Sequence, residues 1–451
     1  MKSTHNGIFV FLVVLLVFST ACTLGGTGGA VTTATPIIIT ATAESAADPG
    51  IFLTQTAAVL PTPEPEAHTL PPTLRLVYTD TSGNLFAWTQ ADGVRPLLAS
   101  GDIMGARLSD DGQWAAFTRS SDYLHFSLWV IGFDGSGERQ LLTPDQLFAL
   151  KNSADAVGVE PYIFSWIPNS HTIAFNTSPK FEGPGLMIND DLHLVNAETG
   201  AFSTLLTPGN GGVFYYSPDG TQIALVTPQN ISLINADGSN RRSNVLVYEP
   251  VLTYSEFQYY AVPQWAADGS FLRVAIPPHA SLDNPGDMTT LWHIPTDGSP
   301  AGVAGHVLTA PLSTVTLSPD LGWIAYQSYF SDNTDNRRNL HINTVTGTSD
   351  HIYATGEVSI DTWAPDSLHF VYTDRAVNQS KYANKDDGEV LLIPAGTVMN
   401  IHFANAYTYI YLKDGGAQWE IYYGNLDGTQ TLITSMPKPG GGKFPGYSFV
   451  N

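Results

Sequence analysis

Acyl transfer by a serine needs a Gly-x-Ser-x-Gly turn that lifts the hydroxyl clear of a strand-to-helix corner. The nearest approaches are Gly135-Ser136-Gly137 and Gly446-Tyr447-Ser448, and neither completes it. Zinc hydrolysis on a helix calls for His-Glu-x-x-His, and phosphate transfer for a glycine-rich loop; neither pattern occurs. Of the 12 histidines, His171, His341 and His369 fall in expected strands, where a hydrogen-bonded structural role is the plainer reading. Asp332-Asn-Thr-Asp-Asn336 lacks the spacing and terminal Glu of a calcium loop and reads as a solvated loop. No metal and no other cofactor is expected.

The one cysteine, Cys22, is more informative. Lys2 and the amino terminus make a short positive start, the apolar run Ile8–Phe18 follows, and Ser19, Thr20 and Ala21 are small. The run matches a signal-peptide core and is too short to cross a bilayer as a helix. This stretch resembles the lipobox of bacterial lipoproteins, departing from it at Ser19, where Leu is commoner. The resemblance implies a signal peptide over 1–21 and acylation of Cys22. It also implies anchorage in the cell envelope, outside the cytoplasm, with the membrane as first partner. No second cysteine is present to leave a reactive thiol after export.

Thr, Ala, Gly and Pro dominate residues 22–72, with no period that could build a core, so a disordered to extended tether is expected there. A formal charge of −22, with Lys and Arg totalling 19, argues against nucleic-acid binding. Charged residues make up only 13% of the chain while Gly and Pro number 41 and 30, a balance that suits short strands and tight turns.

The elements that would have to position any site recur from residue 73 to 451. An aromatic or apolar strand end, a Pro-Asp-Gly-like turn and an alternating strand appear at Tyr216–Val226, Leu317–Tyr326 and Trp363–Tyr372. Looser copies are Leu108–Phe117, Trp166–Phe175, Trp265–Val274 and Phe403–Tyr411. The turns fall at 111, 169, 219, 268, 320, 366 and 406, which is blade-sized spacing. A second hairpin follows each, as in Leu128–Gly135 returning through Leu141-Leu-Thr143. Two hairpins per repeat make the four-stranded unit of an all-β propeller. Leu74–Ala99 holds three strands and lacks the inner one, and Phe444–Val450 is predicted to supply it. Eight blades are favoured, with seven as the competing count.

These repeats resemble the Pro-Asp-containing, WD40-like repeats of TolB-type periplasmic propellers and of prolyl-oligopeptidase and dipeptidyl-peptidase propellers. The resemblance covers nearly everything from residue 74 onward. It implies the fold and no particular ligand.

Long connections are expected on one face: Pro144–Glu160, Asn176–Asp190, Val247–Val262, Pro277–Thr289, Ser328–Arg338 and Thr373–Gly388. Within them Tyr254, Phe257, Tyr259 and Tyr260, together with Tyr329, Arg337, Arg338 and Lys381, are the candidate binding residues. The aromatics suit stacking on a sugar or gripping a peptide, or else packing the loop onto its blade. The favoured reading is a monomeric, non-enzymatic binding or scaffold module for an envelope protein, peptide or glycan. A glycan hydrolase or lyase with its site at the channel mouth is the alternative, and two convergent carboxylates would favour it.

Overall fold

The computed structural model describes residues 74–253, 257–284, 286–329, 337–386, 388–393, 397–438 and 443–450. Residues 1–73, with Cys22 and the tether, lie outside the described residues, as do Tyr254 and Asp332–Asn336.

Eight four-stranded antiparallel sheets form a β-propeller. Blade 1 is built from both ends of the domain: Gly446–Val450 pairs antiparallel with Arg75–Thr79, which is followed by Leu85–Thr89 and Gly93–Leu98. The closing strand therefore sits where the missing inner strand was expected, and the count is eight. Blades 2 to 8 follow in chain order, with inner strands Ile103–Leu108, Gly158–Trp166, Val213–Tyr216, Gln264–Trp265, Thr316–Leu317, Val358–Trp363 and Thr397–Phe403.

Alternation decides burial. In Thr172–Lys180, Ile173 and Phe175 turn toward blade 2 while Ala174 joins the blade 4 side, so each sheet feeds two seams. The seam between blades 6 and 7 joins Leu340 and Ile342 to Val358, Trp363 and Phe370. Only one α-helix is present among the described residues, Pro144–Phe148, started by Thr143 in a reciprocal capping box with Gln146.

The inner turns come in two alternating kinds. In blades 2, 4 and 6 a serine hydroxyl donates to the turn aspartate: Ser109 to Asp111 and Ser217 to Asp219 at 2.6 Å, and Ser318 to Asp320 at 2.5 Å. In blades 3, 5 and 7 a tryptophan ends the inner strand. Its indole N–H reaches back to the preceding blade: Trp166 to the Arg107 carbonyl, Trp265 to Tyr215 and Trp363 to Thr316, each at 3.1 Å. Each such bond contributes about 1 kcal/mol net and clamps a pair of blades together.

Candidate functional site

Within a blade, the inner-to-second and third-to-outer turns share one face, and the remaining connections share the other. The first set is uniformly short, as at Asp219-Gly220 and Asp237-Gly238, where both glycines have positive φ. The second set is uneven. Residues 143–157, 181–191, 248–263 and 277–288 form long connections on blades 2 to 5, whereas Glu357 alone joins blade 6 to blade 7.

The four long connections are laced into a wall. Asn152 Nδ2 donates to the Ile188 carbonyl at 3.3 Å and to Asp190 Oδ1 at 3.1 Å. The other oxygen of Asp190 accepts from Gly209 N at 3.0 Å. Asn189 N donates to the Tyr260 hydroxyl at 3.3 Å. Leu252 N donates to the His279 carbonyl at 2.8 Å, and His279 Nδ1 donates to the Pro250 carbonyl. Each of the four connections also exposes a large apolar side chain: Phe148, Leu186, Leu252 with Phe257, and Met288. Buried side-chain atoms on or beside the wall, in Asn152, Asn176, Ser178, Asn189 and Ser281, lack a hydrogen-bond partner among the described residues.

Several expectations need correction here. Thr373–Gly388 is not a long connection: the strand Gln379–Asn384 runs through it, paired with His369–Asp374. Its polar residues alternate, with Ser380 and Tyr382 buried, and that pattern is a strand's. Lys381 therefore stands on a strand, its ammonium 3.8 Å from Asp374 and over the Tyr372 ring. Asn176–Asp190 starts too early, because the blade 3 strand continues to Lys180. Pro144–Glu160 begins with the short helix and ends inside the strand Gly158–Trp166.

The remaining candidates separate by neighbourhood. Tyr259 turns inward against the blade 4–5 core and donates to the Ala275 carbonyl at 3.2 Å. Burial pushes its phenol far above its ordinary value. Tyr260 also packs on that core and ties two connections together, while Phe257 is 59% exposed. Tyr329 and Arg338 are cross-strand partners at the end of a blade 6 hairpin, with the guanidinium over the ring at 4.8 Å and Arg337 beside it. These groups lie on different blades.

The three histidines are satisfied, though His171 lies in the turn ahead of Thr172 and not in a strand. It joins Asp111 and Glu198, 2.7 Å from each, and those two hydrogen bonds raise its pKa. His369 sits 2.6 Å from Asp366. His341 Nε2 lies 2.9 Å from Ser328 Oγ and its Nδ1 3.0 Å from Asp350, the order of a serine relay. A like chain, Asp191–His193–Thr204, recurs in blade 3 with Asp191 and His193 fully buried. That recurrence marks both chains as ties across strands.

One further layer is visible only in register. The residue just before the end of each inner strand, the strand nearest the propeller axis, occupies one level of the ring: Arg107, Ser165, Tyr215 and Gln264 in blades 2 to 5. Thr316, Thr362, His402 and Phe449 complete it. None of the eight is buried, while the next residue is buried in most blades. The ring holds one guanidinium, one imidazole and no carboxylate. The inner-strand acid Asp361 accepts from Thr373 Oγ1 at 2.6 Å, and burial raises its pKa to about 7.

No protein-family model and no curated protein matches the chain. Solved structures similar to it include a eukaryotic initiation factor, at 13% identity over 81% of this chain and 85% of that one, with a TM-score of 0.49. A prolyl endopeptidase is similar at 13% identity over 75% of this chain, which spans 50% of that protein, with a TM-score of 0.48. TolB from Acinetobacter baumannii is similar at 11% identity over 84% and 83% of the two chains, with a TM-score of 0.37. These identities speak to the fold only.

Proposed function

We propose that this chain is a lipid-anchored, extracytoplasmic propeller that binds a polypeptide or glycan on its long-connection face without chemical conversion. The observation that carries the reading is the wall. Long connections built on a rigid scaffold, braced to one another and each exposing an apolar side chain, are what a recognition surface needs. A purely structural blade would end in turns as short as those of the opposite face. The membrane part rests on the apolar run, the small residues and Cys22, and the reach of a ~50-residue extended tether is roughly 150 Å.

The test is cross-linking in intact envelopes with the native chain and a variant carrying Leu186→Ser, Leu252→Ser, Phe257→Ser and Met288→Ser. A defined adduct that the native chain forms, and that drops at least tenfold in the variant at unchanged melting temperature, supports the reading. Equal yields from both would place recognition elsewhere. In parallel, Cys22→Ser should abolish fatty-acid labelling and release the chain from membranes; undiminished labelling would remove the anchor from the proposal.

A further inference from the structure

The channel ring stands apart from the wall, and its chemistry runs against the rest of the molecule. Asp and Glu total 41 against 19 Lys and Arg, and several described cations form ion pairs with those acids. Arg119 meets Asp102 and Glu138, Lys180 meets Glu160, and Lys438 meets Asp414. Arg107 does not. Its guanidinium has one partner among the described residues, the neighbouring Ala106 carbonyl at 3.3 Å, and no ion pair. It is exposed although it sits on the innermost strand of blade 2.

His402 reaches the same space from blade 8, with the closing strand of blade 1 between the two. Its ring is held edge-on to Tyr447 at 5.9 Å, and no described hydrogen bond engages its nitrogens. Burial, with a smaller push from Arg107, lowers its pKa to about 4, so near neutral pH it is a neutral donor or acceptor. The other ring members add hydroxyls, an amide and the Phe449 ring, while the inner-strand acid Asp361 beside Thr362 is tied to Thr373.

We infer that the Arg107–His402 sector of the axial channel is a binding site for a carboxylate group. A guanidinium offers parallel N–H donors that fit a carboxylate or a phosphate. Charge separates the two. Attraction to Arg107 grows with the ligand's charge, but the cost of stripping its water grows with the square of that charge, and the field of a molecule of net charge −22 opposes it further, so a monoanion is favoured over a phosphate dianion. The site does not depend on the wall being a recognition surface.

Calorimetric titration of the full-length chain tests it, using an N-acetylated dipeptide acid, its amide, a hexuronate, the matching neutral hexose and inorganic phosphate. Saturable binding of at least one carboxylate is expected, with none for the amide or neutral hexose. The dipeptide acid and the hexuronate distinguish a chain terminus from a uronate as the source. Arg107→Gln should weaken binding at least tenfold and Arg107→Lys less, both with unchanged melting curves, and the four-serine wall variant should bind as the native chain does. Binding that survives Arg107→Gln, phosphate binding as tight as carboxylate binding, or no saturable carboxylate binding would each overturn the assignment. Equal cross-linking yields from the native chain and the wall variant, with carboxylate binding intact, would sink the wall reading alone.

Discussion

Blades 2 to 5 and blades 6 to 8 with blade 1 share one architecture and use it differently. The first half carries connections such as 143–157 and 248–263, braced through Asp190, Tyr260 and His279. In the second half Glu357 alone spans blades 6 and 7, and residues 415–417 make a hairpin turn in blade 8. That half holds the ring closure, where Gly446–Val450 completes blade 1 and Ser448 accepts a hydrogen bond from Leu108 N of blade 2 at 3.0 Å. Strand pairing in a blade does not depend on how far the chain wanders between strands, since loop closure grows slowly more costly with length. One half can therefore carry long connections while the other stays lean.

The strongest way to break this contrast is to remove the closing strand. A chain ending at Lys438 leaves the inner side of Arg75–Thr79 unpaired, an open edge between blades 8 and 2. It should lose cooperative melting and self-associate in sedimentation, whereas deletion of residues 277–288 and closure by a short turn should leave a folded monomer. A truncated chain that melts like the native one would show that closure lies elsewhere.

A smaller effect is expected from Asp361 in blade 7, whose carboxyl has its pKa raised from 3.8 to about 7. Its neutral form favours folding, so that contribution is complete below about pH 4 and is lost as pH rises through about 7. Asp361→Asn keeps a neutral group. It should be roughly 2–4 kcal/mol more stable than the native chain at pH 8, after allowance for water reaching the site, and equal to it at pH 4. Denaturant melts at both pH values decide this, and a difference independent of pH would refute the burial account.

The smallest effect belongs to a seam on the short-turn face, opposite the wall. His171 bridges the turns of blades 2 and 3, and its hydrogen bonds to the Asp111 and Glu198 carboxylates raise its pKa. Its contribution is present below its ordinary value near 6.5 and disappears as pH climbs past the raised folded value. His171→Gln should cost about 0.5–1 kcal/mol at pH 6 and almost nothing at pH 9, since the site is partly exposed. Equal losses at both would mean packing, not charge, ties that seam.

Much of the ring is legible in single residues. The turns at 111, 219, 268, 320 and 366 follow from Asp side chains that cap their own backbones, a local preference that needs no neighbours. The apolar alternation of Phe444–Val450 marks it as a strand with no partner nearby in sequence. Where local pattern and polarity conflict, the reading fails: Gln379–Asn384 is polar enough to pass for a loop, and Asn176–Ser178 are buried although their types favour the surface. Tyr259 is an aromatic in a long connection, and nothing local tells whether its ring turns outward or into the core.

Turn chemistry and strand period, both short-range, determined the blade, its repetition and the need for closure from the chain alone. Which residues share a space was decided by tertiary structure. Asn152 meets Asp190 and Asn189 meets Tyr260 only after three blades have stacked. Arg107 and His402 lie at opposite ends of the repeat series and come near one another only because a ring brings its last blade back to its first. The physical reason is that hydrogen bonding within a turn is satisfied a few residues away, whereas a site on a closed ring is set by the registers of every sheet around it.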